Sequence, residues 1–260
     1  MRSLFDGGGE PHPRMARIDV RDVKKVYSSG TLALSDVSLN IASGEFVSIV
    51  GPSGCGKSTL LRIMSGLDHA TGGTIETIGA ERAAMPSAMV FQEHAQLFPW
   101  MRVAENLHFA FDSLGVPHGQ IRSRVAEQLE SVGLQDFHHA YPHELSGGMK
   151  QRAAVARAFA VDAPVLFMDE PFGALDEQTR VGLATVLEQL WVRNKKTVVF
   201  VTHGIEEAIV LSDRIVVLSQ RPGTIREIVT VDLPRPRDPV ALRGNAKYHE
   251  YIARIWELLA

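Results

Sequence analysis

At 260 residues, with 45% hydrophobic and 22% charged side chains, the chain can bury the core of one domain and a subdomain. Its 27 basic residues against 30 acidic ones give a net charge of -3, which excludes the strongly basic footprint of a protein that grips long polyanions. One cysteine excludes an internal disulfide framework and suits a reducing compartment. No uninterrupted apolar stretch is long enough to span a bilayer, so any membrane role has to come through a partner.

Residues 1–14 are polar and rich in Gly and Pro, without a signal-peptide core; 1–15 read as a disordered lead-in, with Met15 an alternative start. Strand-like alternation runs from 16 to about 27 and from 34 to 41, where Val37, Leu39 and Ile41 share one face and Ser38 and Asn40 the other. The apolar run 45–50 leads into Gly51, Pro52, Ser53, Gly54, Cys55, Gly56, Lys57 and Ser58, and a helix follows from Thr59. That order matches Gly-x-x-x-x-Gly-Lys-Ser between a strand and a helix. Glycines let the backbone curl round phosphates, N–H groups and the helix dipole face the anion, and Lys57 adds an ammonium, so the chain binds a nucleoside triphosphate. Cys55, inside this loop, is expected to react with an alkylating reagent and to be protected by Mg-ATP.

A turn-rich strand at 72–78 and a short apolar segment at 88–91 lead to Gln92. From about 103 to 132 the period becomes helical, with Leu107, Phe111 and Leu114 on one stripe, Ile121, Val125 and Leu129 on another, and Pro117 between. Leu145-Ser146-Gly147-Gly148-Met149-Lys150-Gln151-Arg152 reads as a glycine turn entering an amphipathic helix at 152–160, whose serine hydroxyl and free N–H groups make a second phosphate site. The strand 165–168 ends in Asp169 and Glu170. Asp169 can hold a Mg2+ shell opposite Ser58, and Glu170 can polarise an attacking water. A helix with Leu183, Leu187, Leu190 and Trp191 inward comes next, then strands at 197–202 and 214–218, a break at Pro222 and Gly223, and an edge hairpin near 225–233. Residues 234–239 read as a linker, the arginines around 234–243 as a solvated tail, and the final amphipathic helix carries Tyr248, Ile252, Ile255 and Leu259. His138, His139 and His143 read as solvated surface, because Pro142 spoils a helical spacing and no cysteine joins them. The layout is an α/β nucleotide-binding domain at 16–233 with a helical subdomain inserted at about 96–157, then a linker and helix at 234–260.

In this order the motifs resemble those of ATP-binding-cassette (ABC) proteins over roughly residues 16–222. Residues 51–58 resemble Walker A, Gln92 the Q-loop, Ser146-Gly147-Gly148 the signature, Ala174-Leu175-Asp176 the D-loop and His203 the switch histidine. The resemblance implies a P-loop NTPase fold: a RecA-like α/β core, an antiparallel β subdomain and an inserted α-helical subdomain. It also implies two copies packed head to tail, each ATP lying between residues 51–59 of one copy and Ser146, Gly147 and Gly148 of the other. Lys57 would contact the β/γ-phosphates, and Ser58, Gln92 and Asp169 would complete the Mg2+ sphere. Thr59 and Asp176 would join the nucleotide-binding set, Tyr27 would stack on adenine and His203 would hydrogen-bond the γ-phosphate. Two departures stand out. Met149 replaces a common glutamine and removes an amide contact, and Gly204 replaces a usual aspartate and is expected to loosen the switch loop.

Leu97-Phe98-Pro99-Trp100-Met101 ahead of Val103-Ala104-Glu105-Asn106, and Arg221-Pro222-Gly223, resemble cassettes of nitrate, sulfonate and taurine importers. That resemblance implies a peripheral ATPase on the cytoplasmic face of the inner membrane. It would power uptake of a small anion or organic sulfonate through a separate transmembrane permease, with a solute-binding protein as indirect partner. The alternative class, an ABC ATPase acting on nucleic acid or ribosomes, fits less well with one cassette, a short insertion and slight acidity; no nucleic-acid partner is expected.

Overall fold

The computed structural model describes residues 16–80, 83, 85–91 and 97–260; the lead-in 1–15 and Gln92 lie outside them. Strands β1 (Arg17–Val26), β2 (Leu32–Ile41) and β3 (Phe46–Val50) precede helix α1 (Lys57–Met64), followed by β4 (Gly72–Ile78) and β5 (Ser87–Val90). Three helices come next: α2 (Val103–Ser113), α3 (His118–Ser131) and α4 (Gly147–Ala160). Strand–helix alternation resumes with β6 (Val165–Asp169), α5 (Glu177–Asn194), β7 (Thr197–Val201), α6 (Ile205–Leu211) and β8 (Arg214–Leu218). The edge strand β9 (Ile225–Thr230), the short α7 (Pro239–Leu242) and α8 (Ala246–Leu259) complete the chain.

Two sheets result. The antiparallel one has the order β2-β1-β4; the other runs β5-β6-β7-β3-β8-β9, parallel except where β9 pairs antiparallel to β8. Every residue of β3, β6 and β7 is buried, the pattern of parallel strands covered on both faces. Alternate side chains feed two cores. Phe46, Met168, Val198 and Phe200 pack with α2–α6, while Val47, Ile49, Val199 and Val201 pack with α1 and the antiparallel sheet. This places the carboxyl ends of β3, β6 and β7 side by side, the edge where open α/β sheets bind ligands.

Helices α2, α3 and α4 pack on one another, and α4 joins them to α5 and β5. Among them, the fully buried Asn106 fixes the aromatic loop before α2. Its Nδ2 donates to the carbonyls of Met101 and Arg102 at 3.1 and 3.0 Å, and its Oδ1 accepts from the Phe98 N–H at 2.7 Å. Among the described residues no helix is long and apolar enough to cross a membrane.

Two expectations are corrected. Helix α4 starts at Gly147, not at 152, so both signature glycines sit in its first turn. Ser146 is the N-cap, its Oγ accepting the Met149 N–H at 3.3 Å. Of the arginines at 234–243 expected in a solvated tail, Arg243 is exposed, but Arg235 and Arg237 are not. Arg237, only 4% exposed, donates to the carbonyls of Ile209, Val210, Ser212, Val231 and Leu233. Arg235 pairs with the buried Glu188 of α5 and with Asp213, and stacks 4.1 Å over Trp191. A carboxylate buried in α5 needs a cation, and the last turn of α6 needs donors; this segment supplies both.

Lys196 gives the fold a pH signature. Its ammonium donates to the Val161 carbonyl, and burial pushes its pKa down to about 8, Asp162 opposing weakly. Between about pH 8 and the ordinary lysine value near 10.4, the unfolded chain binds a proton that the folded one does not, so stability rises with pH across that window. The stability of wild type relative to Lys196→Met should therefore increase by about 3 kcal/mol from pH 8 to 10.5. Urea unfolding of both proteins at several pH values measures this, and a pH-independent difference rejects it.

Candidate functional site

The turn from β3 to α1 is built on glycine. Gly54 and Gly56 take positive φ (74° and 108°), a region that other residues enter at a cost. At Gly51 a Cβ would come within 2.7 Å of Cys55 Sγ. Lys57 is buried, its Nζ donating to the carbonyls of Gly51 at 2.8 Å and Pro52 at 3.1 Å, so the ammonium sits at the centre of the loop. The loop opens into a cleft of about 580 Å3 lined by Ser53, Gly54, Gly56, Lys57, Ser58 and Thr59, together with Tyr27 and Glu170. Tyr27 is 40% exposed; its hydroxyl pairs with Thr59 Oγ1 at 2.9 Å and the Lys25 ammonium lies 5.1 Å from its ring.

The acidic edge comes from β6 and β7. Ser58 Oγ donates to Asp169 Oδ1 at 2.8 Å. Burial pushes the Asp169 carboxyl above its ordinary value, against the Ser58 hydrogen bond and the nearby Arg62. Glu170, one residue beyond the strand, adopts φ 45° while its N–H bonds the Val201 carbonyl at 2.9 Å. That left-handed turn aims the side chain off the strand axis, and its Oε2 lies 3.3 Å from His203 Nδ1. A carboxylate against the phosphate loop, backed by an imidazole, can orient a water and take up its proton.

The second phosphate-type feature lies elsewhere. Ser146, Gly147, Gly148 and Asp176 do not line the cleft around Lys57. They meet one another instead: a Cβ at Gly148 would fall 2.2 Å from Thr179 Cγ2, and Thr179 donates its N–H and hydroxyl to Asp176 at 3.0 and 2.7 Å. Those two bonds, the hydroxyl's first, hold the Asp176 carboxyl below its ordinary value. The N-termini of α4 and α5 thus form one surface, apart from the cleft. Met149 turns its side chain to the core while its N–H serves the Ser146 cap.

Three features were missed or misread in the sequence. Arg221 lines the cleft, and the Gly223 N–H bonds the Ala33 carbonyl at 2.9 Å; a Cβ there would strike the Cys55 carbonyl at 2.2 Å. The signal was the Arg221-Pro222-Gly223 run, whose glycine allows this close approach. Gly204 has ordinary backbone angles (φ -84°, ψ 108°), so no left-handed turn requires a glycine there; what the sequence did not show is that the carboxylate of Glu207 fills the space a Cβ would take. Cys55 is only 1% exposed, and burial raises its thiol pKa against the lowering effect of Lys57. The expected reactivity is therefore reversed. N-ethylmaleimide should label native Cys55 slowly at the same rate with or without Mg-ATP, and quickly in denaturant. Mass spectrometry of labelled protein decides this, and rapid native labelling blocked by Mg-ATP would restore the open-loop expectation.

A glycine-cradled ammonium at the end of one parallel strand, with carboxylates at the end of another, defines a P-loop nucleoside triphosphatase. The ABC transporter family model matches residues 34–173. An uncharacterised ABC transporter ATP-binding protein of Methanocaldococcus jannaschii is 44% identical over 250 residues, covering 94% of this chain and 91% of that protein. The aliphatic sulfonates import ATP-binding protein SsuB of Bacillus cereus is 46% identical over 226 residues, covering 85% and 88%. Among solved structures, a dimeric ATP-binding cassette bound to ADP and Pi superposes with TM-score 0.70 at 32% identity, over 84% of this chain and 100% of that one. CbiO1 of Clostridium perfringens, part of the cbiONQ ABC transporter complex, gives TM-score 0.74 at 25% identity, over 93% and 96%. The chain belongs to the ABC transporter family and is its ATP-binding, ATP-hydrolysing type of subunit.

Proposed function

We propose that this ATPase powers an importer for a small anion of the organic sulfonate type, working as a head-to-tail pair on the inner face of the membrane. The sulfonate assignment rests on the likeness to SsuB. The pairing rests on the separation of the cleft from the Ser146–Asp176 surface: one chain alone does not bring both phosphate-type features to one nucleotide. Within the site, residues 51–59 wrap the phosphates with Lys57 at the β/γ end, Tyr27 stacks on adenine, and Glu170 with His203 orients the attacking water. Ser146, Gly147 and Gly148 reach the nucleotide of the other copy, and Asp176 shapes their surface. The Ser58 hydroxyl and Asp169 carboxylate offer the oxygen donors that suit Mg2+ and would hold it, with Gln92 as a further candidate; the ion would supply positive charge against the phosphates.

The observation that carries the transport reading is an apolar groove of about 360 Å3 between β5 and helices α2 and α4. Leu67, Phe91 and Phe109 line it at 59%, 45% and 49% exposure. Phe98 joins them, packed edge-on to Phe109 at 5.2 Å and against Trp100 at 5.5 Å, with Trp100 itself 70% exposed. Exposed aromatics grouped round a groove mark a protein contact, here the permease. Trp100→Ala should leave basal ATP hydrolysis and the melting temperature unchanged, because the ring is mostly in solvent. It should weaken permease binding about thirtyfold or more, as the loss of a hot-spot aromatic does. Co-purification and solute-stimulated hydrolysis with the permease test this; full coupling in a well-folded variant rejects the docking role.

A further inference from the structure

The loop that carries His203 is tied to the turn that carries Asp176 by a chain of polar contacts. The Gly204 N–H donates to Thr202 Oγ1 at 2.9 Å, and the Thr202 hydroxyl donates to Glu207 Oε2 at 2.6 Å. Glu207 Oε1 is ion-paired with Arg180 Nε at 3.2 Å, and Arg180 Nη2 donates to the Leu175 carbonyl at 3.0 Å. Thr202 and Glu207 are buried, at 2% and 7% exposure, so water competes little for these groups.

The local sequence explains the geometry. Glu207 is the third residue of α6 and Gly204 its N-cap, the spacing at which a glutamate reaches back to the N-cap N–H. Here the reach is relayed. The Thr202 hydroxyl takes the N–H, and the carboxylate takes the hydroxyl, which leaves its other oxygen for a cation on a different element. Arg180 lies on the first turn of α5, whose N-cap is Asp176, and its second nitrogen holds the preceding Leu175 carbonyl. A side chain at position 204 would displace the carboxylate that closes this link.

We propose that Glu207 and Arg180 are positioning residues that fix His203 relative to the Leu175–Asp176 turn, so that a shift of that turn alters how the histidine meets Glu170. This rests on the reading of His203 and Glu170 given above. It gives a physical path by which the surface facing the other copy bears on hydrolysis.

The full chain should be assayed for steady-state ATP hydrolysis, Mg-ATP affinity and melting temperature as wild type, Glu207→Gln, Arg180→Gln and the double variant, with His203→Ala alongside. Glutamine at 207 keeps an acceptor for Thr202 but loses the ion pair. Each single variant should lower kcat about tenfold, the scale of a slight misplacement of a reacting group, with KM changed less than about twofold. The double variant should be no slower than either single one, because one link is broken twice. Independent effects that multiply to about a hundredfold, or wild-type kcat in either single variant, overturn the proposal. A fall in melting temperature and Mg-ATP affinity parallel to kcat overturns it in favour of general loosening. If Glu207→Gln does not fold, Arg180→Gln, whose side chain is 32% exposed, decides alone by the same criteria. Wild-type turnover in His203→Ala would overturn the histidine reading itself, a result distinct from failure of the link.

Discussion

Glu170→Gln is expected to bind Mg-ATP with wild-type affinity and to lose turnover by about two to four orders of magnitude, the range for removing a positioned general base. The backbone predicts little disturbance. Glu170 is held at φ 45° by its N–H bond to Val201, which the side-chain exchange leaves in place. A glutamine of the same shape still borders the cleft and still sits beside His203, yet its amide cannot accept the proton of an attacking water. With binding intact and hydrolysis blocked, the ATP-bound pair should accumulate and appear as a dimer on gel filtration in Mg-ATP. Equilibrium binding, single-turnover hydrolysis and gel filtration together check this. Wild-type turnover would sink the role given to Glu170.

Lys57→Ala should instead weaken ATP binding by about a hundredfold, the loss of one or two charge-assisted hydrogen bonds. Lys57 Nζ sits between the Gly51 and Pro52 carbonyls, so its removal takes away both the cation and a brace of the loop. Pairing is the more telling experiment. A dimer of one Lys57→Ala chain and one Ser146→Ala chain places both lesions in a single shared site and leaves the other whole. About half of wild-type hydrolysis is expected from it, against almost none from the Lys57→Ala homodimer. A hybrid no more active than either homodimer would reject independent sites shared between copies.

What the sequence reveals and what it hides follow one physical division. Features set by neighbours along the chain were legible: the glycine loop, the apolar strand ending in Asp169 and Glu170, and the two stripes of α2 and α3. The start of α4 was not, because Gly147 and Gly148 are poor helix formers, and their helix is fixed by the Ser146 cap and by contact with Thr179 on α5. Cys55 looked reactive because its motif faces phosphates, but its thiol points under Gly51 into the core shared with the antiparallel sheet. At Gly204 the sequence showed only a missing carboxylate, and the fold adds that Glu207, three residues on, occupies the space a side chain would take. Arg235 and Arg237 looked solvated because their partners, Glu188 and the last turn of α6, are 24 to 49 residues away in sequence.

Those arginines decide where the chain can be cut. Ending it after the last strand looks harmless on paper, since β9 closes the sheet and a proline-rich stretch follows. Yet such a cut would strip the cation from Glu188 and the arginine donors from the carbonyls of Ile209, Val210, Leu211 and Ser212, and an unpaired charge left inside a protein costs about 3–5 kcal/mol. The folding unit therefore extends past its apparent border, and its final stretch belongs to the core as much as any strand.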